Sequence, residues 1–225
     1  MIKTVFIDID DTLLDFDKCA EKSMENAFKI IGESFRWEYF DVFTKINTDL
    51  WKKLEKHIIT KDDVYGKRWN TIFAMLGIEY GGEKFEKIFL DCLNRSTICV
   101  PHAKELLAYL KGKYEVCAAS NASYNQQMMR LESADMLKYI DHVFTSEKIG
   151  YEKPDKRFFD TCLKKLGIAK AQECIMIGDS LSADICGGVG CGMKTCWFNP
   201  KKKKNENDVS VDYTVYSLLE IENIL

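Results

Sequence analysis

The chain contains 225 residues, of which 46% are apolar and 30% are charged, and its formal net charge is −3 at pH 7. This composition is ordinary for a globular protein, and the acidic balance argues against a nucleic-acid polymer as partner, because such binders carry a basic surplus or stripe. No apolar stretch approaches the roughly 18 residues that cross a bilayer. The first residues turn acidic too soon for a signal peptide, and the nine cysteines include no Cys-x-x-Cys pair. We therefore expect a cytoplasmic protein with reduced thiols and no membrane partner.

Short β-rich runs alternate with helical patterns along most of the chain. The runs at 5–7 and 175–177 are continuously apolar, which is typical of strands covered on both faces. Helices are expected at 101–111 and 154–166, with a closing helix at 216–225. The alternation predicts an α/β fold with a doubly wound parallel sheet, that is, a Rossmann-like core. The predicted strands are 4–8, 114–120, 142–145, 174–178, 194–198 and 213–215.

The stretch 17–95 interrupts this alternation because its patterns are helical throughout. It predicts an all-helical cap domain inserted into a discontinuous core made of 1–16 and 96–225. The aromatic residues of this stretch fall at helical spacings, so we expect most of them in the cap's own core, with one or two lining a pocket. The predicted cap helices are 18–31, 37–57, 61–76 and 82–95, and the aromatic residues are Trp37, Tyr39, Phe40, Phe43, Trp51 and Trp69.

The first predicted strand ends in the acidic cluster Asp8-Ile9-Asp10-Asp11-Thr12. Residues two apart on an extended chain point the same way, so Asp8 and Asp10 should converge just beyond the strand. Two adjacent carboxylates repel each other unless a cation or a shared proton offsets the charge. A turn or helix N-cap is the plain structural alternative for this cluster.

Three more polar clusters each follow a predicted strand. Ser120-Asn121 ends one strand, and a hydroxyl at a helix start is a ready anion site, although serine is also a common N-cap. Lys153-Pro154 precedes a helix that we expect to begin at the proline, with a surface lysine as the alternative. Asp179 and Asp184 are five residues apart after Gly178, around an expected helix start, where acids also serve as helix-dipole partners.

The four clusters together indicate a function more specifically than any one of them does alone. Ligands of a doubly wound sheet bind outside the carboxyl ends of its strands, and all four clusters fall at such ends. Together they supply several carboxylates, a hydroxyl and an ammonium group. That set of groups fits a Mg²⁺ site next to a phosphate site.

These motifs closely resemble those of the haloacid dehalogenase-like hydrolase superfamily, in the family's order and over the whole chain. The helical insertion is similar to the cap of the subgroup that holds phosphatases, mutases and dehalogenases. The segment 8–16 looks most like the branch of nucleoside 5′-monophosphate phosphatases, the 5′-nucleotidases. The matching motifs are Asp8-Ile9-Asp10-Asp11-Thr12, Ser120-Asn121, Lys153-Pro154 and Gly178-Asp179-Ser180-(x)3-Asp184.

The resemblance implies a Mg²⁺-dependent phosphomonoester hydrolase that acts on a small phosphorylated metabolite. Asp8 would attack phosphorus and form an aspartyl-phosphate, and Asp10 would protonate the leaving oxygen and then activate water. Ser120 and the Asn121 amide would bind the transferring phosphoryl group. Lys153 would neutralise that group and orient Asp8.

The resemblance also implies a metal site. Asp179 would bind Mg²⁺ together with Asp8 and the main-chain carbonyl of Asp10, and Asp184 would support the water shell of the metal and Lys153. An ionised carboxylate needs no activating base, which agrees with Asp8 as nucleophile.

Other readings stay open. The substrate is expected to be a nucleoside 5′-monophosphate, with phosphoglycolate or a sugar phosphate as alternatives. A sugar-phosphate mutase commonly has Gly where this chain has Asp11, a carbon–halogen hydrolase lacks the acid found at Asp10, and a non-catalytic relative usually loses one of the acids. The protein is expected to be a monomer or a homodimer.

Two further segments have simple interpretations. The glycines of 187–192 follow an expected helix, so they should end it and allow close packing, and they do not fit a dinucleotide fingerprint. The run Lys201–Lys204 is expected to be a solvated loop, with phosphate steering as the alternative.

Overall fold

The computed structural model describes residues 1–206 and 208–225. The chain divides into two units, one formed by Met1–Asp15 and Thr97–Leu225 and the other by Phe16–Ser96. Within the described residues, no helix combines the length and the apolar character that crossing a membrane requires.

The unit 16–96 is all-helical, and its helices lie within a few residues of the predicted ones. Phe43 and Trp69 are buried and their ring centroids are 5.4 Å apart, so these aromatic residues form core. Trp37 is 64% exposed, and three other aromatic residues of the predicted set keep part of their surface exposed. The helices are α1 (Phe16–Ile30), α2 (Trp37–Glu55), α3 (Lys61–Leu76) and α4 (Gly82–Asn94); the partly exposed aromatic residues are Tyr39, Phe40 and Trp51.

Local signals explain where α3 begins and ends. Thr60 accepts a hydrogen bond from the Asp63 N–H at 3.2 Å, and the Asp63 carboxylate accepts one from the Thr60 N–H at 2.9 Å. This reciprocal capping box satisfies two N–H groups that the helix leaves unpaired. Gly77 ends the helix with φ +66°, a left-handed conformation that glycine adopts without strain.

The other unit is an α/β sandwich built on a parallel sheet with the order β3-β2-β1-β4-β5-β6. The strands match the predicted ones to within one residue, so the predicted doubly wound sheet is confirmed. The strands are β1 (Thr4–Ile7), β2 (Glu115–Ser120), β3 (His142–Thr145), β4 (Cys174–Gly178), β5 (Lys194–Phe198) and β6 (Tyr213–Val215). The α-helices are α5 (Ala103–Leu110), α6 (Tyr124–Ser133), α7 (Ser146–Ile149), α8 (Lys156–Leu166) and α9 (Cys186–Cys191).

Side-chain alternation along β1 assigns its residues to opposite faces of the sheet. Val5 and Ile7 pack in one apolar cluster, and Phe6 packs in the other. All three are fully buried. The uninterrupted apolar run therefore reflects two cores, one on each face, as expected for a central parallel strand.

Two helix predictions need correction. Helix α8 begins at Lys156 and not at Pro154, because Asp155 is its N-cap and accepts a hydrogen bond from the Arg157 N–H at 2.9 Å. The C-terminal segment forms a shorter 3₁₀ helix, Leu218–Asn223, instead of the helix expected over 216–225.

The glycine-rich segment after Asp184 does allow close packing. A Cβ on Gly187 would lie 2.3 Å from the Phe159 ring, and a Cβ on Gly188 would lie 3.0 Å from the Met176 side chain. Gly192 ends α9 with φ +79°, as predicted. The earlier glycines of the segment lie within α9, so the prediction that they follow the helix is wrong.

Candidate active site

The predicted site residues lie at the carboxyl edge of the sheet. Asp8 follows β1, Ser120 is the last residue of β2, and Asp179 follows β4. Strand β1 pairs with β2 on one side and β4 on the other. The topology therefore brings residues that are far apart in sequence to one edge.

Lys153 is the centre of the site. Its side chain is 3% exposed, and its ammonium group donates to Asp8 Oδ1 at 2.6 Å, to Asp184 Oδ1 at 2.6 Å and to the Ala119 carbonyl at 2.7 Å. An ammonium group has three N–H donors, and these three contacts use all of them. The surface-lysine interpretation is therefore wrong.

Asn121 holds the backbone that carries Lys153. Its side-chain oxygen accepts from the Lys153 N–H at 2.8 Å, and its side-chain amide donates to the Lys153 carbonyl at 2.9 Å. Ser146, at the start of α7, donates to the Asn121 carbonyl at 2.9 Å. These bonds fasten the loop of Lys153 to the end of β2, so the side-chain amide of Asn121 serves to position Lys153.

Asp184 is buried and reaches the site over a glycine. Its Oδ2 accepts from the Ser180 N–H at 3.1 Å, and it lies in a π-helical turn, Leu181–Ile185, that Ser180 caps. A Cβ on Gly178 would lie 2.2 Å from Asp184 Oδ2. Glycine at 178 is thus required for Asp184 to reach Lys153.

Asp179 is positioned through its backbone. Its N–H donates to the Thr12 hydroxyl at 3.1 Å, and its carbonyl accepts from the Trp197 indole N–H at 2.9 Å. Its carboxylate lies 3.7 Å from the Lys203 ammonium group, whose side chain is 55% exposed. One residue of the predicted solvated lysine run therefore approaches the site.

Asp10 faces a different set of groups from Asp8. Arg130 forms an ion pair with Asp10 Oδ1, and Gln127 donates to Asp10 Oδ2 at 2.6 Å. Gln127 also donates to the Ser120 hydroxyl oxygen at 2.9 Å. The side chains of Asp8 and Asp10 are thus held by separate cations, Lys153 and Arg130.

Burial sets the charge balance of the site. Burial raises the pKa of Asp8 well above its ordinary value, against the Lys153 ammonium group, and neighbouring carboxylates add to the rise. Burial also raises the pKa of Asp179 to about 8, with further contributions from Asp11 and Asp184. Burial alone would lower the pKa of Lys153, but Asp184 and Asp8 outweigh it and the pKa rises. Lys153 is therefore charged.

The acidic side of the site has the donor chemistry of a divalent-cation site. Asp8, Asp179 and Asp184 each offer a carboxylate oxygen, and these oxygens lie within 4.8 Å of one another. Hard oxygen donors of this kind suit Mg²⁺.

Sequence reasoning missed four residues that shape the site: Gln127, Arg130, Thr12 and Trp197. Gln127 and Arg130 are three residues apart in the helix that follows Ser120, and this spacing places them on one helical face. That signal was available, but it does not show that the face turns toward Asp10. Thr12 was part of the first motif without a role of its own.

Comparison with known proteins agrees with this geometry. Residues 2–192 match the family of haloacid dehalogenase-like hydrolases. The pyrimidine 5′-nucleotidase PynA of Streptococcus pneumoniae is 30% identical, over 99% of this chain and 94% of its own. The pyrimidine 5′-nucleotidase YjjG of Escherichia coli is 28% identical, over 98% and 96%.

A solved structure extends the likeness to three dimensions. The HAD-hydrolase YfnB of Bacillus subtilis, solved with bound magnesium, superposes with a TM-score of 0.94 over 100% of this chain and 98% of its own, at 28% identity. The match to the family covers most of the chain, and the motif residues meet at one edge of the sheet. This protein belongs to the haloacid dehalogenase-like hydrolase family.

Proposed function

We propose that this protein is a Mg²⁺-dependent phosphomonoester hydrolase that works through an aspartyl-phosphate on Asp8. The observation that carries the proposal is the buried Lys153 ammonium group, held 2.6 Å from both Asp8 and Asp184. A fixed cation beside a carboxylate nucleophile is suited to phosphoryl transfer, which depends mainly on positioning and on neutralising charge.

The first chemical step transfers the phosphoryl group to Asp8. An oxygen of the Asp8 carboxylate donates an electron pair to phosphorus, and the bond from phosphorus to the ester oxygen breaks with its electrons left on that oxygen. Protonated Asp10 gives its proton to the leaving oxygen, so an alcohol departs. The Ser120 hydroxyl holds a phosphoryl oxygen during the transfer, and the charge of the Lys153 ammonium group, held beside Asp8, offsets the negative charge of the phosphoryl group.

The second step restores the enzyme. Asp10, now a carboxylate, takes a proton from a water molecule whose oxygen bonds to phosphorus. The bond between phosphorus and Asp8 breaks with its electrons left on the Asp8 oxygen, and phosphate leaves. Both residues return to their starting protonation states, as a hydrolase requires.

The residues present fit a magnesium ion. Asp8 and Asp179 would hold it, with the Asp10 main-chain carbonyl as a further oxygen donor and Asp184 supporting its water shell. When bound, Mg²⁺ supplies positive charge that offsets the repulsion between an anionic nucleophile and an anionic phosphate.

We further propose that the substrate is a nucleoside 5′-monophosphate. Two relatives that match over nearly the whole chain are pyrimidine 5′-nucleotidases. The product would be a nucleoside and phosphate.

Phosphate release from a panel of substrates tests both levels of the proposal. We expect turnover that requires Mg²⁺, vanishes with chelator, and has its highest kcat/KM on a nucleoside monophosphate. If phosphoglycolate or a sugar phosphate is preferred by tenfold or more, the nucleotidase assignment is wrong and the phosphatase class survives. Full activity in excess chelator would contradict the metal requirement.

The covalent intermediate has its own test. Acid quenching during turnover of a substrate labelled with ³²P in the phosphate should leave label on the wild-type protein and none on Asp8→Asn. The matched control is Asp135→Asn, because Asp135 is an exposed aspartate. This control should keep the label and the activity.

A further inference from the structure

Helix α6 carries two polar side chains that are as buried as the apolar core. Gln127 is fully buried and Arg130 is 1% exposed. Burying a guanidinium group is costly unless it is paired and hydrogen-bonded. The buried position of Arg130 therefore requires partners that pair with its charge and offset this cost.

Both side chains converge on Asp10. Arg130 pairs with one carboxylate oxygen of Asp10, and Gln127 donates to the other at 2.6 Å. A donor on each oxygen fixes the plane of the carboxylate. The Asp10 side chain is 29% exposed, compared with 1% for Arg130, so Asp10 is held from the buried side and keeps an open side.

Gln127 also connects Asp10 to Ser120. The oxygen of the Gln127 side chain accepts from Arg130 at 3.3 Å, and this contact sets which way the amide points. The amide nitrogen, which has two hydrogens, then donates to Asp10 and, at 2.9 Å, to the Ser120 hydroxyl oxygen. One amide thus fixes the spacing between the two groups.

The same network sets the direction of the Ser120 hydroxyl. Its oxygen accepts from Gln127 and from the Ala122 N–H at 3.1 Å. Both partners are donors, so neither takes the hydroxyl hydrogen of Ser120. That hydrogen remains for an acceptor such as a phosphoryl oxygen.

We propose that Gln127 and Arg130 are positioning residues for phosphoryl transfer, an inference that rests on the proposed function. Arg130 holds the Asp10 carboxyl group where Asp10 can donate its proton to the leaving oxygen. Gln127 fixes the position of the Ser120 hydroxyl relative to Asp10. Neither residue touches the substrate. Both act through the two groups that do.

The test compares two substrates that differ in their need for a proton. An aryl ester, 4-nitrophenyl phosphate, has a leaving group that departs readily without one, whereas an alkyl ester needs proton transfer. The alkyl ester is thymidine 5′-monophosphate, or the alkyl phosphate that the wild type turns over fastest. The measured quantity is kcat/KM, which reports the steps up to the first irreversible transfer.

Arg130→Met should lower kcat/KM for the alkyl ester by about 10- to 100-fold, a fraction of the contribution of a general acid. For the aryl ester, kcat/KM should fall by less than about threefold, because the departure of its leaving group depends little on Asp10. Gln127→Leu should also lower kcat/KM more for the alkyl ester than for the aryl ester. It should raise KM for both esters, because the Ser120 hydroxyl loses its hydrogen bond from Gln127. Arg130→Lys keeps the positive charge and loses the planar guanidinium group. Its kcat/KM for the alkyl ester should lie between the values for the wild type and for Arg130→Met.

A double-mutant cycle shows whether Arg130 acts through Asp10. In an Asp10→Asn background, adding Arg130→Met should lower kcat/KM for the alkyl ester by less than about threefold, because the effects of coupled residues are not additive. Arg68→Met is the matched control. Arg68 is a buried arginine of the helical unit that pairs with Glu86, and its loss should lower stability without changing the ratio of alkyl to aryl activity.

Several outcomes would overturn the inference. Equal losses on both esters, or losses that add fully to those of Asp10→Asn, would make Arg130 a structural residue. If Arg130→Met does not fold, Arg130→Lys and Gln127→Leu decide the question by the same ratio. A wild-type protein that hydrolyses neither ester with Mg²⁺ would instead contradict the proposed function, and this result is distinct from the others.

Discussion

Replacing Asp179 by asparagine should stabilise the metal-free protein. At pH 7 an ordinary aspartate, with a pKa of about 3.9, is ionised in the unfolded chain. The folded protein raises the pKa of Asp179 to about 8, so folding must place a proton on this carboxyl or bury its charge. An asparagine side chain is neutral in both states, so Asp179→Asn removes that cost.

The size of the effect follows from linkage. The difference between pH 7 and 3.9 is about three units, and at about 1.4 kcal/mol per unit the upper bound is about 4 kcal/mol. The Asp179 side chain is 20% exposed, so we expect about 1–3 kcal/mol after water and local relaxation reduce the penalty. For a chain of this length, that corresponds to a rise in Tm of about 3–10 °C.

The direction of the pKa shift of Asp179 also predicts how the stability depends on pH. Between pH 4 and pH 8 the folded protein binds more protons at Asp179 than the unfolded chain, so the free energy of unfolding should fall as the pH rises through this range. The slope should be smaller in Asp179→Asn. Added Mg²⁺ should raise the Tm of the wild type and change that of the variant much less.

Thermal unfolding with chelator, at pH 5 to 8, measures all of these quantities. Asp135→Asn is the control, since Asp135 is exposed and its pKa is lowered by its hydrogen bond to Lys138; its Tm should stay near that of the wild type. The reasoning is refuted if Asp179→Asn unfolds at or below the wild-type temperature, with the control unchanged, and if the two pH profiles are parallel.

Three further substitutions test the geometry around Lys153. Asp8→Asn should fold normally and lose turnover, which near-normal phosphate release from purified protein would contradict. Lys153→Met should reduce kcat/KM by about 10²-fold or more and destabilise the protein by about 3–5 kcal/mol, because two buried carboxylates lose their cation; adding Asp184→Asn should restore part of the Tm, and no restoration would argue against the pairing. Gly178→Ala should displace Asp184 and cost tenfold or more in rate, roughly one lost electrostatic contact. Its control, Gly190→Ala, has open space around the new methyl group and should keep full activity, so equal rates in both variants would refute the packing argument.

The strands were predictable because their physical signal is local. The apolar runs of β1 and β4 are buried on both faces, and few other structures bury every residue of such a run. The polar residues that follow those runs meet at one edge because carboxyl ends of parallel strands lie together. Pattern and topology were therefore enough to place Asp8, Ser120 and Asp179.

Helix boundaries depended on finer choices between neighbouring residues. Pro154 is suited to the first position of a helix and Asp155 to the N-cap, and the sequence does not show which of the two sets the start of α8. The structure uses the Asp155 carboxylate to accept from the Arg157 N–H. At the C-terminus, Ser217 and Glu220 form a capping box, but the helix that they begin is a short 3₁₀ helix.

The network around Asp10 was out of reach for a different reason. Gln127 and Arg130 are ordinary helix residues, and nothing in their spacing distinguishes a buried polar face from a solvated one. Only the three-dimensional structure reveals that they approach Asp10 and Ser120. Asn121 shows the same limit, because its side chain reaches Lys153, 32 residues later in the sequence.

The cations around the site divide its carboxylates by function. Lys153 and Arg130 are both almost fully buried, and they hold Asp8 and Asp10, the two residues that we propose form and break bonds. Asp179 instead faces the exposed Lys203 at 3.7 Å, a contact that solvent screens. The carboxylates that must keep one geometry are therefore fixed by rigid buried partners. Asp179, which we propose holds a metal ion together with Asp8, has this weak partner, and because the partner offsets little of the cost of burial, the pKa of Asp179 rises to about 8.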